Sequence, residues 1–304
     1  MTIADDPQAF APVQTWLPPW GLSTCIRAVL YRSTQGMTLP ESQRWGHYPV
    51  TPLISINLLF DGSCELADIG HARYEDAPRQ GLPSFTVSGP QTWPRSILYG
   101  PEVQGAMILF YPDAFSALTG MVVASRVDQV LDAREVLSGS LLNACLRLSP
   151  MRTGDAVIDM PGFFDDLLPL WLRCSASVQP NANSHWPHSF QPWVRALALR
   201  AAVTGWGSSL RQSERRIKQW SGWSMRRLQV SARGEAVFFA VMEALNDERL
   251  DWTQIALDHG FSDQSHFIRE TRRLTGFSPE VMRHGVLHEE AFWSYRAWAK
   301  LAGL

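Results

Sequence analysis

The sequence predicts an α+β protein: a front part of small β-sheet or barrel with helices, then a back part that is almost all helix. Three observations predict it. Between about Val50 and Tyr111, short β-type runs alternate with turn dipeptides, and after Pro112 the apolar spacing turns helical. The stretch Ser175–Ser189 (SASVQPNANSHWPHS) is rich in Ser, Asn and Pro and reads as a linker. The charge changes sign across it: residues 1–189 hold 11 Lys/Arg against 17 Asp/Glu, and residues 190–304 hold 16 against 12.

The front elements come first. The β-type runs are Leu53–Phe60, Ser84–Ser88, Ser96–Tyr99 and Ala106–Tyr111, separated by Asp61-Gly62, Gly89-Pro90 and Gly100-Pro101. From Pro112 to Arg173 the pattern is helical, with Pro112-Asp113 and Ser149-Pro150 as boundaries. After the linker, Pro192–Val203 carries Trp193, Leu197, Ala198 and Ala201 on one side, and Glu235–Leu245 is apolar nearly all round, which predicts burial.

The most informative stretch is Asp251–Arg283 (DWTQIALDHGFSDQSHFIRETRRLTGFSPEVMR). Asp251 and Gln254 have capping-box spacing, and Ala256 is small enough for a second helix to cross closely. Gly260 suits the left-handed turn between two helices, Ser262 or Asp263 caps the second, Gly276 stops it and Ser278-Pro279-Glu280 starts another. Two short helices about a glycine turn make a helix-turn-helix, whose second member fits the major groove. On that helix Gln264, Ser265, Ile268 and Arg269 fall near one N-terminal face with Phe267 turned inward, and Arg269, Arg272 and Arg273 share a side. Glutamine pairs with adenine N6/N7 and arginine with guanine O6/N7 or phosphate. From helix pattern alone, an αα-hairpin with a solvated arginine face is the alternative.

Length and composition set the limits. The chain's 304 residues fit one large domain or two to three ordinary ones, and 45 % apolar with 18 % charged residues exclude a disordered chain or a coiled coil. No stretch approaches the ~20 apolar residues of a membrane span, and the start MTIADDPQAF is acidic where a signal peptide is basic; the expectation is a cytoplasmic protein without a membrane partner. Cys25, Cys64, Cys145 and Cys174 form no C-x-x-C pair and read as reduced thiols, with no metal and no cofactor expected. Lys218 and Lys300 are the only lysines, so the basic back is an arginine back, suited to nucleic acid.

The string I-A-x-x-x-G-F-S-D-Q-S-H-F-x-R…L-T-G-F-S-P, from Ile255 to Pro279, resembles the second helix-turn-helix of AraC-type (AraC/XylS) bacterial transcription regulators. The resemblance implies a C-terminal unit of about 100 residues in which two helix-turn-helix motifs, joined by a long helix, enter successive major grooves of duplex DNA. Glu235–Leu245 falls where the joining helix belongs. A weaker echo, Ser209-Leu210-Arg211-Gln212-Ser213-Glu214-Arg215-Arg216-Ile217 and then Trp220–Ser224, resembles the first reading helix; by position Arg211, Glu214 and Arg215 point at DNA. The departures are Thr204-Gly205-Trp206-Gly207 before that helix, Ser213 at a usual core leucine, and Thr271 at a usual aromatic.

The resemblance also implies a variable N-terminal sensor or dimerisation domain, often a cupin-like barrel. Val87–Pro94 (VSGPQTWP), followed by Gly105–Phe115, is similar to the sensor-like domain of one subgroup. The implied division is 1–174 for sensing or dimerisation, 175–189 for the linker, 190–285 for DNA binding and 286–304 for an amphipathic helical tail. Implied partners are double-stranded DNA, a small-molecule effector, RNA polymerase and a second copy of the chain. Trp45, Tyr48, Trp93 and Tyr99 are the candidate ligand-binding residues, or else core; a polar contact from Gln91 or Arg95 into a cavity would favour a sensor. A metal-dependent cupin enzyme is the alternative, but His47, Glu65 and His71 lack the H-x-H spacing such a site needs. The chain also lacks the Pro-Cys-His-Arg motif of DNA-repair fusions, and catalysis is not expected. A front half that only dimerises is the remaining rival. The aromatic segment Ala291–Ala299 (AFWSYRAWA) reads as an amphipathic helix that docks on a domain or on a second subunit.

Overall fold

A computed structural model describes residues 10–67, 74–150, 158–175, 189–204, 209–243 and 252–303. The front part holds two antiparallel sheets. Its strands are β1 (Val13–Trp16), β2 (Ile26–Ser33), β3 (Trp45–Tyr48), β4 (Ile54–Asp61), β5 (Cys64–Ala67), β6 (Arg79–Gly81), β7 (Phe85–Ser88), β8 (Arg95–Tyr99), β9 (Gln104–Phe110) and β10 (Val130–Asp132). One sheet runs in the order β1-β2-β9-β4-β7-β10 and the other β3-β8-β5-β6. In β4 every second residue, Ile54, Ile56 and Leu58, is buried, the period-2 pattern of a sheet with one covered face. Helices α1 (Pro112–Thr119), α2 (Ala133–Val136), α3 (Gly139–Arg147) and α4 (Met160–Ser175) close the front part.

The four predicted strands are present as β4, β7, β8 and β9, while β1, β2, β3, β5, β6 and β10 are additional. Strand β10 lies inside the stretch expected to be helical, where Val130–Asp132 pairs with Thr86–Ser88. Strand β2 is the informative omission. Arg27 and Arg32 interrupt its apolar pattern in the sequence, yet seven of its eight residues are buried. Both guanidiniums meet carboxylates from the other end of the chain, which is why a local reading misses the strand.

The back part is helical: α5 (Gln191–Val203), α6 (Leu210–Ser221), α7 (Met225–Glu243), α8 (Trp252–Asp258), α9 (Gln264–Thr275), α10 (Pro279–His288), a 3-10 turn at Glu290–Phe292 and α11 (Trp293–Leu301). Helix α7 begins ten residues before the expected start at Glu235, because the apolar stretch is only its second half. Helix α10 runs unbroken across positions 285 and 286, the expected boundary between the DNA-binding part and the tail. Most of the linker, Gly205-Trp206-Gly207, Asp251, His71 and the last two residues of Glu235–Leu245 lie outside the described residues. No helix among the described residues is long and apolar enough to cross a membrane.

The two parts share their cores. One cluster joins Ile26, Ile54 and Phe115 of the front to Trp193, Leu197, Ile217 and Trp223 of the back. A second joins Trp45 and Leu98 to Ala256, Phe267, Met282, Phe292 and Tyr295. The tail docks on the front part: α11 packs against β1 and β3, and the hydroxyl of Ser294 donates to the carbonyl of His47 at 2.5 Å. Among the described residues three ion pairs cross between the parts, Arg27–Glu235 (3.0 Å), Arg32–Glu290 (2.8 Å) and Arg200–Asp113 (2.9 Å).

Candidate functional site

Helices α8 and α9 meet about Gly260 at φ +75°, the left-handed conformation the turn requires. Ala256 is fully buried, Asp263 caps α9 by accepting from the His266 N–H at 2.7 Å, and the Ser262 hydroxyl donates to the other carboxylate oxygen at 3.0 Å. These hydrogen bonds hold the exposed Asp263 carboxyl below its ordinary pKa, the His266 N–H being the larger cause. Gly276 ends α9 at φ +85° and Ser278 caps α10 by accepting from the Val281 N–H. The cap leaves Gln264, Ser265 and Arg269 exposed together at the N-terminal face of α9, with Arg272 and Arg273 exposed a turn later. Phe267 points the other way, into the core between Trp252 and Phe261. Ile268 is half-buried and packs against the second core, at the edge of that face. Arg273 is held by Glu270 at 2.8 Å, whereas Arg269 and Arg272 have no ion-pair partner among the described residues.

Helix α6 is the corresponding element of the first pair. The Ser209 N–H donates to Gln212 Oε1 at 3.2 Å across its start, and Gly222 ends it at φ +76°. Arg211, Glu214 and Arg215 are exposed on one side while Ile217 is buried on the other. Glu214 also accepts from the Met225 N–H at 3.4 Å, which ties it to the start of α7. Ser213, at the position expected to be a core leucine, donates to the Ala201 carbonyl at 3.3 Å, and Arg216 reaches the same carbonyl at 3.1 Å. Helix α5 is thus joined to α6 partly by polar contacts. Arg200 of α5 stacks on Trp220 of α6 at 4.2 Å.

Behind α9 lies a cavity of about 260 Å³ between the two parts of the chain. The sheets contribute Leu30, Leu58, Ile97 and Leu109, α7 contributes Gly234, Val237 and Phe238, α9 contributes Phe267, Thr271 and Leu274, and the tail contributes Trp293 and Trp298. The lining is mainly apolar, and its polar groups include Gln91, Arg95 and Asn57. Thr271 is one reason for the space: it stands between Phe267 and Leu274 on the inner side of α9, where a larger side chain would project into the void. Arg95 is half-buried with no ion-pair partner among the described residues. Burial lowers its pKa from the ordinary arginine value, with Asp128 opposing.

The four aromatic residues singled out for a ligand do not form one site. Tyr48 and Tyr99 line the cavity and hydrogen-bond to each other through their hydroxyls. Burial and the neighbouring phenol raise the pKa of Tyr48, and burial pushes that of Tyr99 up to about 12. Trp45 is buried on the other side of its strand, edge-on to Tyr74 at 5.0 Å with Arg79 over it at 5.3 Å. Trp93 is 70 % exposed on a turn. Sequence reasoning missed Arg32, Phe238 and the tail tryptophans, which reach the cavity only through the tertiary fold.

His47, weighed as a metal ligand, is a buried core residue. Its Nδ1 lies 2.8 Å from the Ser96 hydroxyl and its ring packs edge-on against Tyr74, Phe277 and Phe292. Burial lowers its pKa to about 3 from the ordinary 6.5. Between those values the unfolded chain binds a proton that the folded chain does not, so stability falls as pH falls. From pH 7 to pH 5 the expected loss from this residue is about 2 kcal/mol, at ~1.4 kcal/mol per pH unit below 6.5. Urea unfolding at the two pH values checks it, and His47→Asn should show a loss smaller by that amount.

No protein-family model and no curated protein matches the chain. Among solved structures, ToxT from Vibrio cholerae is similar at 12 % identity and a TM-score of 0.36, over 89 % of this chain and 97 % of that one. ToxT bound to (E)-4-(8-methylnaphthalen-1-yl)but-3-enoic acid is similar at 11 % identity and 0.36, over 89 % and 98 %. The AraC-like transcriptional activator CuxR is similar at 14 % identity and 0.26, over 94 % of this chain and 91 % of that one. These values are too low to carry function from those proteins to this chain.

Proposed function

We propose that this chain is an AraC-type transcription regulator that binds double-stranded DNA through α6 and α9 in successive major grooves. The supporting observation is the α8–Gly260–α9 unit. Its Asp263 cap and buried Phe267 leave Gln264, Ser265, Arg269 and Arg272 exposed on one side of a helix the right size for a groove. In this reading Gln264, Ser265, Ile268 and Arg269 read bases, Arg272 and Arg273 grip phosphate, and Arg211, Glu214 and Arg215 do the corresponding work in the next groove. The division into 1–174, 175–189, 190–285 and 286–304 is retained as a functional one, although the buried cores run across it.

The cavity supports a small-molecule effector. Its apolar walls suit an apolar body, and Arg95 with Gln91 suits a polar or anionic group on that body. An occupant would touch the inner side of α9 and the sheets together, and so act through differential affinity for two placements of the reading helices. RNA polymerase and a second copy of the chain are proposed as partners only from the motif resemblance. The protein so read works in the cytoplasm, as a regulator and not an enzyme.

The test is a salt-titrated binding assay on the DNA upstream of the protein's own coding region. Affinity should fall by about 10³–10⁵-fold between 50 and 200 mM salt if six to ten phosphates are contacted. Arg269→Ala should cost about 1–3 kcal/mol and relax preference at one base position, and Gln264→Ala should do the same at another. Absence of duplex binding at low salt would refute the reading.

A further inference from the structure

The turn Gly89–Pro94, between β7 and β8, touches the ends of both reading helices. Gly222, which closes α6, lies against it: a Cβ there would stand 3.3 Å from Pro90 Cγ and 2.8 Å from Val127 Cγ2. Gly276, which closes α9, faces the same turn from the other side, with Pro94 Cγ 3.5 Å from where its Cβ would be. Arg227, in the first turn of α7, donates from Nη2 to the Thr92 carbonyl at 2.8 Å and lies over the Trp223 ring at 5.0 Å. Next to the turn, the Val50 N–H donates to the Leu274 carbonyl of α9 at 2.7 Å.

The turn is braced from behind. Asp128 accepts from the Thr92 N–H at 2.6 Å and from the Thr92 hydroxyl, and its own N–H donates to the Pro90 carbonyl at 2.8 Å. Asp128 is the one non-glycine among the described residues with positive φ (61°), so its backbone adopts a less common conformation while making these bonds. Gln91 exchanges backbone hydrogen bonds with Thr51 at 3.2 and 2.8 Å, and the Gly89 N–H donates to the Gln129 carbonyl at 3.0 Å. Any side chain at Gly89 would collide with the Arg126 carbonyl.

We propose that the turn Gly89–Pro94 is a spacer that sets the separation of α6 and α9, and hence the spacing of the two half-sites that the protein accepts. This rests on the DNA-binding reading above. Adding one base pair between half-sites displaces the second by about 3.4 Å and rotates it by about 34°. The Arg227–Thr92 hydrogen bond on one side and the Val50–Leu274 hydrogen bond on the other, 2.8 and 2.7 Å long, do not survive such a movement. The helix α7 links the two motifs, but the turn is a second body in contact with both of them. Arg227 and Asp128 are therefore positioning residues that read no base.

The experiment uses the full chain. Duplexes are selected from a random library with the wild type, and the selected site is rebuilt with its half-sites one and two base pairs closer or farther apart. Wild type should prefer one spacing over its neighbours by about tenfold or more. Arg227→Met, which keeps an apolar stem over Trp223, and Asp128→Ala should each reduce that ratio to about threefold or less, with base preference inside each half-site unchanged. Arg227→Met carries the test if Asp128→Ala does not fold. Variants that keep the wild-type spacing ratio overturn the proposal. So does a wild type that accepts all spacings alike or selects a single half-site. Selection of no duplex would instead overturn the DNA-binding reading and this proposal with it.

Discussion

Glu235→Ala is expected to destabilise the folded chain by about 3–5 kcal/mol, the range for removing one partner of a buried ion pair. Glu235 lies in the middle of α7 and is 7 % exposed. One carboxylate oxygen accepts from Arg27 Nη2 at 3.0 Å and the other from the Phe190 N–H at 2.5 Å. Arg27 in turn lies between the rings of Phe190 and Trp298, at 5.3 and 5.2 Å. Burial raises the pKa of Glu235, and the Arg27 charge opposes that rise. The alanine variant would leave the Arg27 charge buried without its carboxylate, and the Phe190 N–H without that acceptor. Replacing both ends, as in Arg27→Met with Glu235→Leu, should recover much of the loss, because no uncompensated charge then remains. Denaturant unfolding of the two variants separates these outcomes. A double variant as unstable as Glu235→Ala would show that packing at this point, and not charge, controls stability.

Trp193→Ala is expected to cost about 3–5 kcal/mol, as for a large aromatic lost from a close-packed core. Trp193 begins α5 on the back part, is 1 % exposed, and packs against Tyr111 of the front part at 5.4 Å between centroids. Its indole N–H donates to Asp113 Oδ1 at 3.0 Å, while Arg200 holds Oδ2 at 2.9 Å. Trp193→Phe should cost less, about 1–3 kcal/mol, because most of the apolar area stays and the buried carboxylate loses one donor. Equal unfolding midpoints for the phenylalanine variant and the wild type would remove the hydrogen bond from the account.

These two sites also show what the sequence conceals. The segment Asp251–Arg283 was legible because its signals are local: a cap at Asp263, left-handed glycines at Gly260 and Gly276, and an Ser-Pro start at Ser278 all lie within a few residues of what they control. Strand β2 was not legible. Its arginines look like surface residues until Glu235, 208 positions later, and Glu290, 258 positions after Arg32, come to meet them. The cavity was half legible. Thr271 was visible as an undersized residue on the inner side of a helix, and Gln91 and Arg95 as polar groups beside apolar strands. Neither observation says that the opposite wall comes from the tail. For Trp45 and Trp93 the composition predicted an apolar setting without the side of the strand, and the fold sends one into a core and the other to solvent.

The packing of α11 on β1 has a mechanical meaning. The last helix packs on the strand that forms one edge of the larger sheet, so the tail and that edge strand hold each other in place, and removing either should loosen the other.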